Sequence, residues 1–246
     1  MISIRSRAVA LVAVVALSAG VAGCGSSSGG TPGTSSTKTG GGSDTKAPSA
    51  KELYARARTT ALGAKSAHVK GTVTDSGQTI SIDLAGAVDG SNQEMAVDLG
   101  AAGTMTILTV AKKTYMKGDT TFWTQSAGAA AATMFKGKWV LASATQAASL
   151  GDTNLKSLLS GMFADESIST LDSLTTGVDT GSVGGVDAYL LSDKLDKGNE
   201  IAVSADGKAH LLRLRSTGSS KGELVFTEWD SVKTFAAPKA SEIVTM

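Results

Sequence analysis

The order of predicted elements indicates an α+β fold built on an antiparallel sheet. A helical pattern begins at residue 49, alternating apolar and polar residues follow, helical patterns occupy the middle, and strand patterns return in the last third. Strands that come in runs, instead of alternating with helices, are typical of antiparallel sheets with segregated helices. We therefore expect one α+β domain over residues 49–246.

The first helix is predicted from its cap and its apolar face. Ser49 and Glu52 have the spacing of a capping box, in which each side chain accepts a hydrogen bond from the other residue's backbone N–H. Leu53, Ala57, Ala61 and Ala64 then recur at helical spacing. We expect this helix to end near residue 66.

The remaining elements follow from changes of period and from turn residues. Two further helices are expected over residues 127–135 and 153–163. Turns are expected at Asp89–Gly90, Lys112–Lys113, Gly184–Gly185, Asp206–Gly207 and Gly218. The predicted strands are 68–73, 80–84, 95–99, 104–110, 114–116, 139–141, 188–191, 201–203, 211–215 and 224–229.

The N-terminus predicts export and lipidation. Arg5 and Arg7 precede an apolar stretch, 8–19, which is too short for a spanning helix and is typical of a secretory signal peptide over residues 1–23. Val21–Cys24 resembles the bacterial lipobox, in which the cysteine receives a diacylglyceryl group and becomes the new N-terminus. Cys24 is the only cysteine, so no internal disulfide competes for its thiol. The alternative is an ordinary signal peptide beside an incidental free thiol.

Composition separates a tether from the domain and excludes some partners. Residues 24–48 are mostly Gly, Ser and Thr, which cannot bury enough apolar surface to fold, so we expect a flexible tether. Removing Arg5 and Arg7 changes 23 basic and 22 acidic residues to 21 and 22, a net charge of −1. This balance gives no electrostatic footprint for nucleic acid.

No constellation in the sequence predicts catalysis, a metal site or a cofactor. His68 and His210 are the only histidines; both fall in predicted strands and lack metal-ligand spacing, so we interpret them as ordinary strand residues. Oxygen-rich residues 89–94 fit a hairpin turn better than a calcium loop. No nucleophile–base pair can be placed, and we expect a protein that is not an enzyme.

The apolar residues are mainly aliphatic, with only 4% aromatic residues. Such a set suits either a packed core or a cavity for acyl chains, and periodicity alone does not separate the two. If a cavity exists, inward strand positions and helix residues should line it. The predicted lining residues are Ile80, Ile82, Leu84, Val97, Leu99, Met105, Ile107, Met134, Phe135, Leu158, Leu159, Met162, Leu212 and Leu214.

Several local motifs, in order behind the lipobox, make residues 49–246 resemble the LolA-like superfamily, and within it actinobacterial lipoproteins of the LprG/LppX type. The resemblance implies a strongly curved antiparallel sheet (a half-barrel) with helices on its concave face and an apolar cavity between them. It implies a non-enzymatic, membrane-anchored carrier of lipids or lipoglycans on the extracytoplasmic face. The alternative is an envelope sensor or protein-interaction module with the same fold. The motifs are Ser66–His68, Thr114–Gly118, Lys138–Val140, Leu155–Leu159, Val183–Tyr189, Ile201–Val203, His210–Leu212, Glu228–Trp229 and Pro238.

Overall fold

One sheet organises the part of the chain that the structure describes. That part of the computed structural model is residues 48–75, 77–151, 153–163, 176–193, 198–217 and 221–245. The expected signal peptide, Cys24 and the tether up to residue 47 lie outside the described residues. Twelve strands pair in the order β12-β6-β5-β4-β3-β2-β1-β11-β10-β9-β8-β7, all antiparallel except β12 beside β6.

The helices are short and lie between groups of strands. They are α1 Ala50–Gly63, α2 Thr120–Ala127, α3 Ala129–Phe135, α4 Ala144–Gly151 and α5 Leu155–Met162. The strands are β1 Ser66–Asp75, β2 Gln78–Ala87, β3 Gln93–Asp98, β4 Thr104–Val110, β5 Lys113–Gly118, β6 Trp139–Leu141, β7 Thr176–Val183, β8 Val186–Asp193, β9 Glu200–Ser204, β10 Leu211–Ser216, β11 Lys221–Thr227 and β12 Ile243–Thr245.

The predicted α+β class is confirmed, and so is the curved antiparallel sheet with helices packed on its concave face. The capping box of α1 is also confirmed: the Ser49 hydroxyl accepts from the Glu52 N–H, and the Glu52 carboxylate accepts from the Ser49 N–H at 2.8 Å. Leu53, Ala57 and Ala61 form the buried face of the helix. Local sequence therefore determines how the chain enters the domain.

Each predicted strand corresponds to an observed one, whereas the middle of the chain differs from expectation. The helix predicted over 127–135 corresponds to α3, which begins at Ala129 because Gly128, with a φ of +89°, ends the preceding helix α2. Helix α2 itself was not predicted. The helix predicted over 153–163 begins at Leu155, after Asn154 caps its N-terminus, and α4 precedes it. The turn expected at residues 112–113 lies at Ala111–Lys112, where both φ angles are positive, as a two-residue hairpin turn requires.

The main core lies between the concave face and two helices. Leu53 and Ala57 from α1 and Leu155 and Leu159 from α5 are at most 1% exposed, and they pack on residues from β1, β2, β8, β9, β10 and β11. On the opposite face, the chain after Trp229 covers a smaller cluster through Phe235. The helices therefore cover the concave side of the sheet.

Candidate ligand surface on the concave face

An apolar row crosses ten neighbouring strands on the concave face. Directly paired residues of neighbouring strands share a face, so the register of the sheet defines which side chains belong to this row. Two members are glycines and the others are aliphatic. We call these residues the outer row: Val178, Leu191, Ile201, Leu214, Leu224, Gly71, Ile82, Val97, Met105 and Gly118.

A second apolar row runs beside it, two residues along each strand, and is much more completely covered. Val203, Leu211 and Val69 are 0% exposed and Phe226 is 1% exposed. We call these residues the inner row: Tyr189, Val203, Leu211, Phe226, Val69, Leu84, Met95, Ile107, Met116 and Val140. The helices therefore bury the inner row as core.

The outer row is covered less well than the inner row. Ile201, Leu214, Leu224, Ile82 and Met105 are all only partly buried, although they pack against the main core. Burial of apolar surface contributes about 25 cal/mol per Å². A ligand that covered the exposed parts of these aliphatic side chains would therefore gain binding free energy. Leu191 and Val97 in the same row are buried, whereas Ile201, Leu214 and Leu224 are directly paired neighbours whose uncovered parts form one strip. Clustered apolar surface marks ligand or partner sites more often than scattered single residues do.

Gly71 leaves the middle of the outer row without a side chain. It lies between Leu224 of β11 and Ile82 of β2. A Cβ at this position would collide with the backbone of Glu223, so β1 and β11 approach too closely for any other residue. The glycine therefore produces both a tight strand contact and a gap between two aliphatic side chains.

Helix α5 lies along the covered part of this surface and is attached at both ends. At its N-terminus, the buried Gln93 accepts from the Leu155 N–H at 3.4 Å and donates to the Thr153 carbonyl at 3.1 Å. At its C-terminus, the Tyr54 hydroxyl donates to the Met162 carbonyl at 3.1 Å. Leu159 faces the core, whereas Leu158 is half-buried on the same helix. These attachments fix the helix and its half-buried apolar side chains relative to the sheet.

Most of the predicted lining residues come together here. They belong to the main core or pack against it, and their role in binding a ligand stays a prediction. The buried ones are Leu84, Val97, Ile107 and Leu159, and the partly buried ones are Ile80, Ile82, Leu99, Met105, Leu158, Met162 and Leu214.

Three predicted lining residues lie elsewhere. Met134 is 63% exposed, and Phe135 packs against Trp123 at 4.9 Å between ring centroids, in a separate cluster. Leu212 belongs to a third cluster, because a bulge in β10 interrupts the period of two. The bulge places Leu211 and Leu214 on the concave face and Leu212 on the opposite one.

Sequence reasoning omitted several members of the two rows. Leu191, Ile201 and Leu224 complete the outer row in the C-terminal half of the sheet. The sequence shows the alternation of Tyr189 with Leu191 and of Ile201 with Val203. It does not show the strand order, which places these residues in the same row as the residues of β2. Val178 comes from β7, a strand whose two glycines and one aspartate lower its β-propensity.

The charged residues nearest the sheet centre lie on the convex face. His68 Nε2 is 2.6 Å from Asp83 Oδ1, His68 Nδ1 is 3.2 Å from Glu228 Oε1, and Lys70 Nζ is 3.0 Å from Asp83 Oδ2. Burial raises the pKa of Asp83, but hydrogen bonds from His68 and Lys70 outweigh it and leave that pKa below its usual value. This network stabilises strand pairs and does not contact the outer row.

The other histidine has a structural environment as well. His210 lies one residue before β10, not inside a strand as predicted, and it stacks on Trp229 with ring centroids 5.7 Å apart. Among the described residues, no group of three or more His, Cys, Asp or Glu side chains is placed to hold a metal ion. None of the helices in the described ranges is long and apolar enough to cross a bilayer.

Comparison with known proteins finds similarity at the level of structure. No protein-family model and no curated protein sequence matches the chain. Among solved structures, the Mycobacterium tuberculosis lipoprotein LppX is similar at 16% identity and a TM-score of 0.43, covering 74% of this chain and 97% of LppX. An uncharacterized conserved protein from Thermus thermophilus is similar at 9% identity and a TM-score of 0.36, covering 80% of this chain and 99% of that protein. MucB is similar at 14% identity and a TM-score of 0.36, covering 78% of this chain and 61% of MucB.

LppX is of the LprG/LppX type that the sequence resembles. Because the identities are 9–16% and the TM-scores are below 0.5, these similarities do not indicate a function. The functional proposal therefore depends on the geometry of this chain. That geometry is a curved antiparallel sheet whose concave face carries a partly covered aliphatic row.

Proposed function

We propose that this protein is a lipid-anchored extracytoplasmic lipoprotein that binds the acyl chains of lipids or lipoglycans on its concave face and carries them. The observation that carries the proposal is the outer row, an aliphatic surface across ten strands that α1 and α5 cover only in part. Acyl chains have no hydrogen-bonding groups, and the row offers none. The chemistries of ligand and surface therefore match.

The dimensions of the outer row suit such a ligand. Neighbouring strands lie about 4.8 Å apart, so ten strands give a row of roughly 43 Å measured along the curved sheet. An acyl chain crosses half of a hydrocarbon core of about 30 Å. The row is therefore long enough for an extended chain. Each methylene that it buries contributes about 0.8 kcal/mol.

The proposed anchor places the domain beside its ligand. Cleavage before Cys24 and acylation of its thiol would attach the chain to the membrane, with residues 25–48 as the tether. Cys24→Ser in the full chain should move the protein from the membrane fraction to the soluble extracytoplasmic fraction, as measured by fractionation and immunoblotting. Ser26→Ala is the control and should stay in the membrane. A Cys24→Ser chain that stays membrane-bound contradicts the anchor.

Bound lipid tests the carrier function directly. The full chain is purified in mild detergent from membranes, and native mass spectrometry followed by lipid extraction identifies what remains bound. We expect a stoichiometric acyl-chain lipid in addition to the covalent anchor. A chain that stays empty while one protein partner copurifies at equal stoichiometry contradicts the carrier and supports the sensor or interaction module.

A further inference from the structure

A polar pocket lies at the C-terminal end of β5, beyond the point where β6 begins. The pairing of β5 with β6 stops at Met116, so the last residues of β5 face the turn after α3 instead of a strand. The space left there has a volume of about 330 Å³. Its polar lining residues are Thr104, Thr106, Lys117, Asp119, Thr120 and Lys136.

Two lysines, Lys117 and Lys136, line this pocket, and in the described part of the chain neither of them forms an ion pair. The Lys117 Nζ lies 5.6 Å from the centroid of the Trp139 ring, which positions the amine but does not neutralise its charge. Lysine serves as a point charge for phosphate groups, and its three N–H donors suit an oxyanion.

The one carboxylate in the pocket is already saturated with donors. Asp119 Oδ1 accepts from the Phe122 N–H at 2.7 Å, and Oδ2 accepts from the Thr104 N–H at 2.8 Å and the Thr104 hydroxyl at 2.9 Å. Asp119 thereby caps α2, and its charge is directed at backbone donors. Two positive charges against one bound negative charge leave the pocket net positive.

We propose that this pocket binds a phosphate-class oxyanion between Lys117 and Lys136, with the hydroxyls of Thr106 and Thr120 as further donors. The oxyanion is either inorganic phosphate or the phosphate of a lipid headgroup, since both present the same oxygens. The inference does not rest on the proposed acyl-chain binding, because its charged residues are separate from the aliphatic members of the outer row.

Calorimetric titration of the full chain tests the pocket with three probes. They are inorganic phosphate, dihexanoyl phosphatidic acid, and dihexanoylglycerol, which has the same chains without phosphate. Lys117→Ala and Lys136→Ala should each weaken phosphate-dependent binding roughly tenfold, the effect of losing one charged hydrogen bond. The control chain carries Lys156→Ala with Lys233→Ala, two exposed lysines elsewhere, and should bind like the wild type.

Each outcome decides the proposal. Binding of inorganic phosphate that is lost in Lys117→Ala supports a free anion, and binding of phosphatidic acid alone, lost in the same variant, supports a lipid headgroup. Absence of binding to both phosphate probes overturns the proposal. Equal weakening in the Lys156/Lys233 control, or dihexanoylglycerol binding as tightly as phosphatidic acid, overturns it as well. Thermal unfolding of each variant verifies that the chain still folds.

Discussion

Leu224→Asn and Val225→Asn form the sharpest pair of variants for the outer row. The two residues are neighbours in β11 and both are half-buried, but they face opposite sides of the sheet. Leu224 pairs with Gly71 and Leu214 in the outer row, whereas Val225 pairs with Lys70 and Arg213 on the convex face. The pair therefore separates binding on the concave face from general damage to the strand.

The expected loss for Leu224→Asn follows from two contributions. Full burial of a leucine contributes about 1.5–3 kcal/mol, and the exposed part of Leu224 that a ligand would cover is a minor share, about 0.5 kcal/mol. An amide left unpaired under an acyl chain costs a further 1–3 kcal/mol, roughly. The sum is about 1.5–3.5 kcal/mol, or roughly tenfold to a few hundredfold weaker binding.

The assay is displacement of a fluorescent fatty acid from the full chain in parallel with denaturant unfolding. Both variants should lose similar stability, about 1 kcal/mol. Only Leu224→Asn should lose affinity, while Val225→Asn stays within about twofold of the wild type. Unchanged affinity in Leu224→Asn, or an equal loss in Val225→Asn, refutes the assignment of the ligand to the concave face.

Two further predictions concern what holds the surface in place. Leu159 in α5 is 0% exposed, and Leu159→Ala should reduce the free energy of unfolding by about 2–5 kcal/mol in denaturant titrations. Substitution of its half-buried neighbour, Leu158→Ala, should reduce it clearly less. Equal losses in the two variants contradict the orientation of α5. Asp119→Ala removes the cap of α2 and should cost about 1 kcal/mol at pH 7, whereas Asp119→Asn, a comparable cap, should cost less. The Phe122 N–H, with the Thr104 donors, holds the pKa of Asp119 below its usual value, so the stabilisation is present above about pH 4 and lost as pH falls through the lowered pKa. An Asp119→Ala deficit that stays constant down to about pH 2 contradicts this account.

Local signals predicted the elements well where they were strong. The Ser49 capping box fixed the start of α1, and the alternation of Ile80, Ile82 and Leu84 identified a half-buried strand. The paired glycines at 184–185 marked a hairpin, and both adopt positive φ. These features depend on neighbouring residues only, so the sequence contains all the information that they need.

Other features depended on contacts between distant residues. Helices α2 and α4 consist mainly of Ala, Thr, Ser and Gln without a strong apolar stripe, so no periodic pattern indicated them. The bulge in β10 reversed the faces of Leu211 and Leu212, which a strict period of two does not reveal. Strand β12 is three residues long and pairs in parallel with β6, which lies far earlier in the chain. The outer row itself required the strand order, which only the folded sheet defines.

Photolabelling of the full chain with a diazirine fatty acid tests the central claim most directly. After irradiation, proteolysis and tandem mass spectrometry locate the residues that carry the label. We expect adducts at Ile82, Leu214 and Leu224, on three strands that only the concave row brings together, with competition by unlabelled fatty acid. Labels confined to convex-face residues such as Val225, or labelling that unlabelled fatty acid does not reduce, contradict the account.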